Sequence, residues 1–201
     1  MFSIFITQLK IALKLLIVFI VLTGIIYPLI VTVFAHGLFS WRANGSMIAD
    51  NGKFIGSKLI GQSFTEDKYF WGRPSATKRF PYDAENSSGS NLSQTNPDFI
   101  KAVKQRVERL KQSTPQQNTL IPVDLVTASA SGIDPDISVD AAIYQIARVA
   151  QARHVAEKKI RYIVMNHIQK RRLCNCIGEQ TVNVLQINLA LDHLIVKQEM
   201  R

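Results

Sequence analysis

Cys174 and Cys176 stand one residue apart with His167 upstream, the nearest approach in this chain to a cluster of soft metal ligands. A disulfide across so small a ring is strained, and the set is incomplete for tetrahedral zinc, so the pair reads as unpaired thiols and not as a metal site. Acyl transfer needs a hydroxyl, an imidazole and a carboxylate that meet in space. Ser87, Ser88, Ser90, Ser129 and Ser131 with His154 or His193 supply the residue types. No G-x-S-x-G elbow organises them, which leaves a hydrolase as the alternative reading and assigns no catalytic residue. Gly56-Ser57-Lys58 reverses the order of a phosphate-binding loop, in which backbone N–H groups cradle the phosphates and a lysine neutralises them. The H-E-x-x-H zinc helix, the EF-hand loop and the D-K-T-G aspartyl-phosphorylation signature are absent as well.

The elements that must position these residues begin with Leu15 to Ala35 (LLIVFIVLTGIIYPLIVTVFA), a run without a charged side chain. At 1.5 Å per residue it covers roughly 30 Å, the hydrocarbon thickness of a bilayer, where a helix satisfies its own backbone. A signal peptide has a shorter apolar region and a core helix carries a polar face, so the run is read as a retained transmembrane helix. Pro28 displaces the hydrogen bond to the carbonyl of Gly24, which predicts a kink or a packing notch at Gly24 and Pro28.

Residues 36–201 are enough for one domain with a core of its own. Lysine and arginine number 24 against 15 acidic residues, a net charge of +9, of which Lys10 and Lys14 leave +7 for the domain. Such a surface suits anionic lipid or an acidic partner; dispersed basic residues and the lack of a recognisable module argue against nucleic acid. Lys10 and Lys14 before the span are matched by Arg42 and Lys53 after it, so charge alone does not orient the helix.

Within the domain, Asn51-Gly52 between β-prone stretches predicts a hairpin in Ser46 to Phe64. Tyr69-Phe70-Trp71 is read as core, and Pro81 to Pro97 as a long loop held by side-chain to backbone hydrogen bonds. Asn96 as cap and Pro97 at the first turn start a helix with Phe99, Val103, Val107 and Leu110 on one stripe, ending near Lys111. Gln112 to Thr119 reads as a linker. Ile121 to Thr127 is expected to be a strand, followed by a turn from Ala128 to Asp134. Ser138 caps a helix through Ala150, with Arg148 and Arg153 expected in solvent or paired across the surface. A further helix carries Ile160, Ile163, Val164, His167 and Ile168, with His167 as a packing residue. The segment from Thr181 starts with alternating Val182, Asn183 and Val184 and continues through Leu185-Gln186-Ile187 like a strand, and Asn188 is expected to cap a last helix. A single mixed α+β unit behind one N-terminal transmembrane helix is the most economical fold.

Several blocks in order carry a resemblance: Gly72-Arg73-Pro74-Ser75, Ser88-Gly89-Ser90-Asn91-Leu92 with Asn96-Pro97, the run from Pro122 to Pro135 (PVDLVTASASGIDP), Arg148 to Arg153 (RVAQAR), and Val182 to Asp192. Together with the anchor, they closely resemble the C subunit of the Kdp potassium-transporting ATPase over nearly the whole chain. The resemblance implies an accessory subunit of a bacterial inner-membrane complex in which one partner conducts potassium and another hydrolyses ATP. It implies a cytoplasmic N-terminus (residues 1–14), a single span (15–35) and an extracytoplasmic domain (36–201), support of assembly, and a catalytic-chaperone effect on the pump's ATP affinity. No cofactor of its own is expected, since ATP is attributed through the complex. If nucleotide touches this chain, Ser129, Ala130, Ser131 and Gly132 are the candidate loop, because unencumbered N–H groups can approach an anion; the competing reading is a tight turn packed on Ser88 to Leu92. Leu173 to Ile177, with its two thiols, departs from the family pattern. The alternative class remains a membrane-anchored extracytoplasmic hydrolase.

Overall fold

The computed structural model describes residues 2–50, 52–114, 119–169 and 177–199 and divides into two compact units, Met1–Met47 and Ile48–Arg201. Cys174, Cys176 and Lys170-Arg171-Arg172 lie outside the described residues, as does Asn51 of the expected turn. The first unit is helical: α1 (Phe2–Val21), a π-helical turn (Leu22–Ile26) and α2 (Tyr27–Ala43). The distortion has a cause in the sequence. Pro28 opens α2 without an N–H to donate and its ring crowds the turn before it, so the helix widens around Gly24. Asn44 ends the helix by donating backbone and side-chain N–H groups to Ser40 O at 3.0 and 2.8 Å. This 42-residue apolar helix has none of its most apolar stretch buried within the chain, which makes it a candidate membrane span. At 1.5 Å per residue its length is about twice the thickness of the bilayer's hydrocarbon core.

The second unit is α+β. β1 (Met47–Asp50) and β2 (Lys53–Ser57) pair as the expected hairpin. α3 (Pro97–Ser113) starts as expected, with Asp98 N donating to Asn96 Oδ1 at 2.8 Å, and lays Val103, Val107 and Leu110 on the core. β3 (Asp136–Ser138) leads into α4 (Val139–Ala152), capped by Ser138 Oγ accepting from Ala141 N at 3.0 Å. α5 (Glu157–Asn166), β4 (Ile168–Gln169), β5 (Thr181–Asn183) and α6 (Val184–Glu199) complete the unit. β5 lies between β3 and β4, antiparallel to both, with Val182 opposite Ile137 on one side and Ile168 on the other. Ile137, Ile146, Val149, Ile160, Val164, Val182, Ile187 and Leu191 form the centre of the core.

Strands this short need side-chain support, and Asp136 supplies it. Its carboxylate accepts from Asn183 Nδ2 at 3.0 Å, Gln169 Nε2 at 3.2 Å and Thr181 Oγ1 at 3.4 Å, tying all three strands. Burial raises its pKa above the ordinary carboxylate value.

Three expectations are corrected. Ile121 to Thr127 is not a strand: Val123–Leu125 forms a 3-10 turn, because Pro122 cannot donate to a ladder and its carbonyl accepts from Leu125 N at 3.1 Å. Asn188 is no cap, since α6 begins at Val184 directly from β5, and Asn183 Oδ1 accepts from Gln186 N at 3.1 Å in the capping position. Arg148 and Arg153 are buried, not solvated, although Arg153 does pair with the partly exposed Asp192 carboxylate. In addition α5 stops at Asn166, so Ile168 starts a strand; His167 Nδ1 lies 2.8 Å from Ile163 O at the helix end.

Candidate functional site

The segment from Glu66 to Thr77 has no regular secondary structure, yet Phe70 is fully buried. A buried peptide without a ladder must find other partners for its N–H and C=O groups. Two buried carboxamides provide them. Asn188 of α6 accepts from Phe70 N at 2.8 Å and donates to Phe70 O at 3.0 Å. Gln145 of α4 does the same for Trp71, accepting from N at 2.8 Å and donating to O at 3.1 Å. Each side chain copies one rung of a β-ladder, so consecutive peptides are held by two helices that are distant in sequence.

Guanidinium groups extend the clamp. Arg148 Nη1 donates to Asp67 O at 2.6 Å and Tyr69 O at 3.0 Å, while Nη2 donates to Gln145 Oε1 at 2.6 Å and fixes that amide's orientation. The Arg148 guanidinium lies 3.9 Å from the Trp71 ring centroid and that of Arg109 lies 4.5 Å from it, so both cations use the indole π system. Burial pushes the Arg148 pKa down to about 10, which still leaves the group charged at neutral pH. Arg153 Nε donates to Lys68 O at 2.6 Å and its Nη2 meets Asp192 Oδ1 at 2.8 Å; Tyr69 Oη donates to Asp192 Oδ2 at 3.1 Å.

Downstream, the clamped strand is joined to two loops. Arg73 Nη1 pairs with Asp134 Oδ2 at 3.1 Å, and Tyr82 Oη donates to Arg73 O at 2.6 Å. A Cβ at Gly72 would come within 2.5 Å of that phenol oxygen, so only glycine lets Tyr82 close over the chain. Burial pushes the Tyr82 pKa up to about 12. Ser75 Oγ donates to Gly132 O at 2.7 Å and accepts from Tyr82 N at 2.9 Å. Asp83, only 1% exposed, accepts from Arg79 Nε at 2.7 Å and Asn86 Nδ2 at 2.8 Å, and the Arg79 hydrogen bond holds its pKa down at about 2. The long loop is thus pinned by side chains, as its Ser- and Asn-rich composition predicts.

The candidate anion loop Ser129 to Gly132 is packed into the same assembly. Ser129 N donates to Pro74 O at 3.2 Å, Gly132 N to Ser129 Oγ at 2.9 Å and Ile133 N to Ser131 Oγ at 3.3 Å. Ser87 Oγ donates to Ser131 O at 2.9 Å. Gly132 has φ +70°, and a Cβ there would lie 2.5 Å from Ser88 O. The N–H groups of Ser129 and Gly132 are therefore engaged within the chain, and the loop packs on Ser88 and Gly89 as a tight turn would. Of the serines of the hydrolase reading, the hydroxyls of Ser87, Ser129 and Ser131 bond to this turn's backbone, while His193 Nε2 lies 3.5 Å from Asp50 Oδ1 and His154 lines a separate groove. Gly24 and Pro28 sit in and just after the π turn of the first unit.

Gly72, Arg73 and Ser75 enter the sequence reading only as part of the block that carries the resemblance, and Gln145 does not enter it at all. Its signal was present: Gln145 falls on the core stripe of α4, four residues after Ala141 and four before Val149, both fully buried. A polar residue on an apolar stripe announces a buried hydrogen-bond partner.

The KdpC family model, described as the K+-transporting ATPase c chain, matches residues 9–193. The chain belongs to the KdpC family. The potassium-transporting ATPase KdpC subunit of Dechloromonas aromatica (strain RCB) is 49% identical over 186 residues, covering 92% of this chain and 97% of that protein. The protein of the same name from Herpetosiphon aurantiacus is 51% identical over 183 residues, covering 91% and 94%. That from Rhodopseudomonas palustris (strain BisB18) is 49% identical and covers 92% and 97%. The match begins within α1 and ends within α6, so it takes in the apolar helix and the side-chain clamp together.

Proposed function

We propose that this chain is an accessory, non-catalytic subunit of a bacterial potassium-transporting ATPase, held in the inner membrane by its N-terminal helix and docked on the subunits that conduct potassium and hydrolyse ATP. The observation that carries this reading is the likeness to proteins named KdpC subunits over nine-tenths of the chain. Residues 1–14 lie in the cytoplasm, 15–35 cross the bilayer and 36–201 form the extracytoplasmic domain. Exposed apolar side chains along α1 and α2 support the membrane assignment, since leaving them in water costs about 25 cal/mol per Å².

The π turn supplies the surface at which a neighbouring helix packs. A Cβ at Gly24 would meet nothing within 4 Å, so the backbone is open to close approach there, and Pro28 fixes the distortion. The subunit supports assembly and acts as a catalytic chaperone that raises the pump's affinity for ATP. Because nucleotide is cytoplasmic and the domain lies across the bilayer, that influence travels through the helix and its packing. The use of Ser129 N and Gly132 N within the chain supports transmitted coupling over direct nucleotide contact.

Deleting this chain while keeping the other pump subunits tests the reading. ATP-driven potassium uptake should be lost and should return with the full-length chain. Undiminished uptake in its absence would reject it.

A further inference from the structure

One face of α4 lies open in a groove of about 1510 Å³, walled by the segment from Thr119 to Asp124 and by the first turn of α5. This exceeds the roughly 300–1,000 Å³ of small-molecule sites and suits a length of polypeptide. Its apolar part is formed by Ile143, Ala147 and Ala150 with Val123, which is 70% exposed. Asp140, Glu157 and Glu179, all exposed, stand on the rim, and Asp124 is half-buried beside them. Of the described arginines that line it, Arg73 is paired with Asp134 and Arg148 is committed to the clamp, which leaves Arg161 exposed against this acidic rim. The sign is opposite to that of the domain as a whole, which carries +7 of the chain's +9. Carboxylates around an apolar strip repel anionic lipid and acidic protein alike, and they complement lysine or arginine.

We propose that this groove docks a polypeptide segment of a neighbouring subunit in which lysine or arginine residues flank apolar side chains. The inference rests on the reading of this chain as a docked subunit. Apolar side chains enter over Ile143 and Ala147, and the flanking cations settle against Asp140 and Glu179. The contact gives the partner register as well as affinity, because a cationic segment shifted along the groove loses one carboxylate.

The test uses the full chain in the assembled complex, with the photo-crosslinker p-benzoylphenylalanine in place of Val123 and, as a control, in place of the exposed Phe80. After irradiation, the Val123 adduct should map to a partner segment with flanking lysines or arginines. Asp140→Lys with Glu179→Lys should cut its yield at least about fivefold, with no change at Phe80. Asp140→Asn with Glu179→Gln serves as a second, near-isosteric pair and should cut the yield in the same direction. Retention of the chain in the complex with no adduct, an adduct to lipid or to an acidic segment, or a yield that ignores both pairs would overturn the groove assignment alone. Absence of the chain from the purified complex would overturn the subunit reading and this one with it.

Discussion

Arg148→Ala is expected to destabilise the folded domain by about 3–5 kcal/mol, the cost typical of breaking a buried charged network from one side. The variant removes the donor from Asp67 O, Tyr69 O and Gln145 Oε1 together and takes away the cation stacked 3.9 Å from the Trp71 ring centroid. Each buried acceptor left unpaired costs roughly 1–3 kcal/mol, and a desolvated cation–π contact contributes about 2. Part of that loss is offset, because burying the guanidinium is itself costly, as its lowered pKa records. For a domain of this size the melting temperature should fall by roughly 6–20 °C. Arg148→Lys should recover less than half of the loss, since one ammonium cannot reach acceptors on both sides of a planar fork. Thermal unfolding of the full chain in detergent micelles, followed by near-ultraviolet circular dichroism in a Trp41→Phe background so that Trp71 is the one tryptophan, measures both. A change below about 1 kcal/mol in Arg148→Ala would show that the clamp is incidental.

Asn188→Leu should cost about 2–4 kcal/mol although it keeps the branched four-heavy-atom side-chain skeleton and adds apolar surface at a fully buried position. The loss arises because Phe70 keeps its buried N–H and C=O while both partners disappear, and unsatisfied groups cost their full desolvation. Gln145→Leu exposes the neighbouring peptide of Trp71 to the same fate. The two variants combined should destabilise by less than the sum of the single effects, because once the segment is released from one helix the other clamp holds a strand already displaced. Denaturant unfolding of the two single variants and the double variant gives the coupling. Neutral behaviour of Asn188→Leu would mean that its hydrogen bonds are replaced by water.

Much of this architecture is legible in the sequence where the cause is local. Asn96-Pro97 starts α3 and Ser138 starts α4 because a cap needs only the next turn to act on. The apolar stretch around Pro28 announces both a helix and its distortion for the same reason. The run Ile121 to Thr127 misleads because β propensity ignores what Pro122 removes and because Leu125 and Val126 are buried without belonging to a sheet. Asn188 reads as a cap on composition, and Arg148 as a surface charge. Both are recruited instead by a segment far away in sequence, at Asp67 to Trp71, which no periodicity within α4 or α6 can reveal. The resemblance in Gly72 to Ser75 and Val123 to Pro135 points to the right assembly before its geometry is known. Arg73–Asp134 and Ser75–Gly132 then account physically for why those two blocks belong together.

The carboxamides and guanidinium of the clamp are spent on the chain's own backbone, and in the proposed reading the apolar helix and the acidic groove are what the subunit offers to its neighbours. Affinity purification of the tagged full-length chain from membranes of cells producing the whole potassium-transporting ATPase tests that account most directly. It predicts that the potassium-conducting and ATP-hydrolysing subunits elute with the chain in fixed proportion. Elution of the chain by itself, while those subunits assemble and hydrolyse ATP in response to potassium without it, would contradict the account.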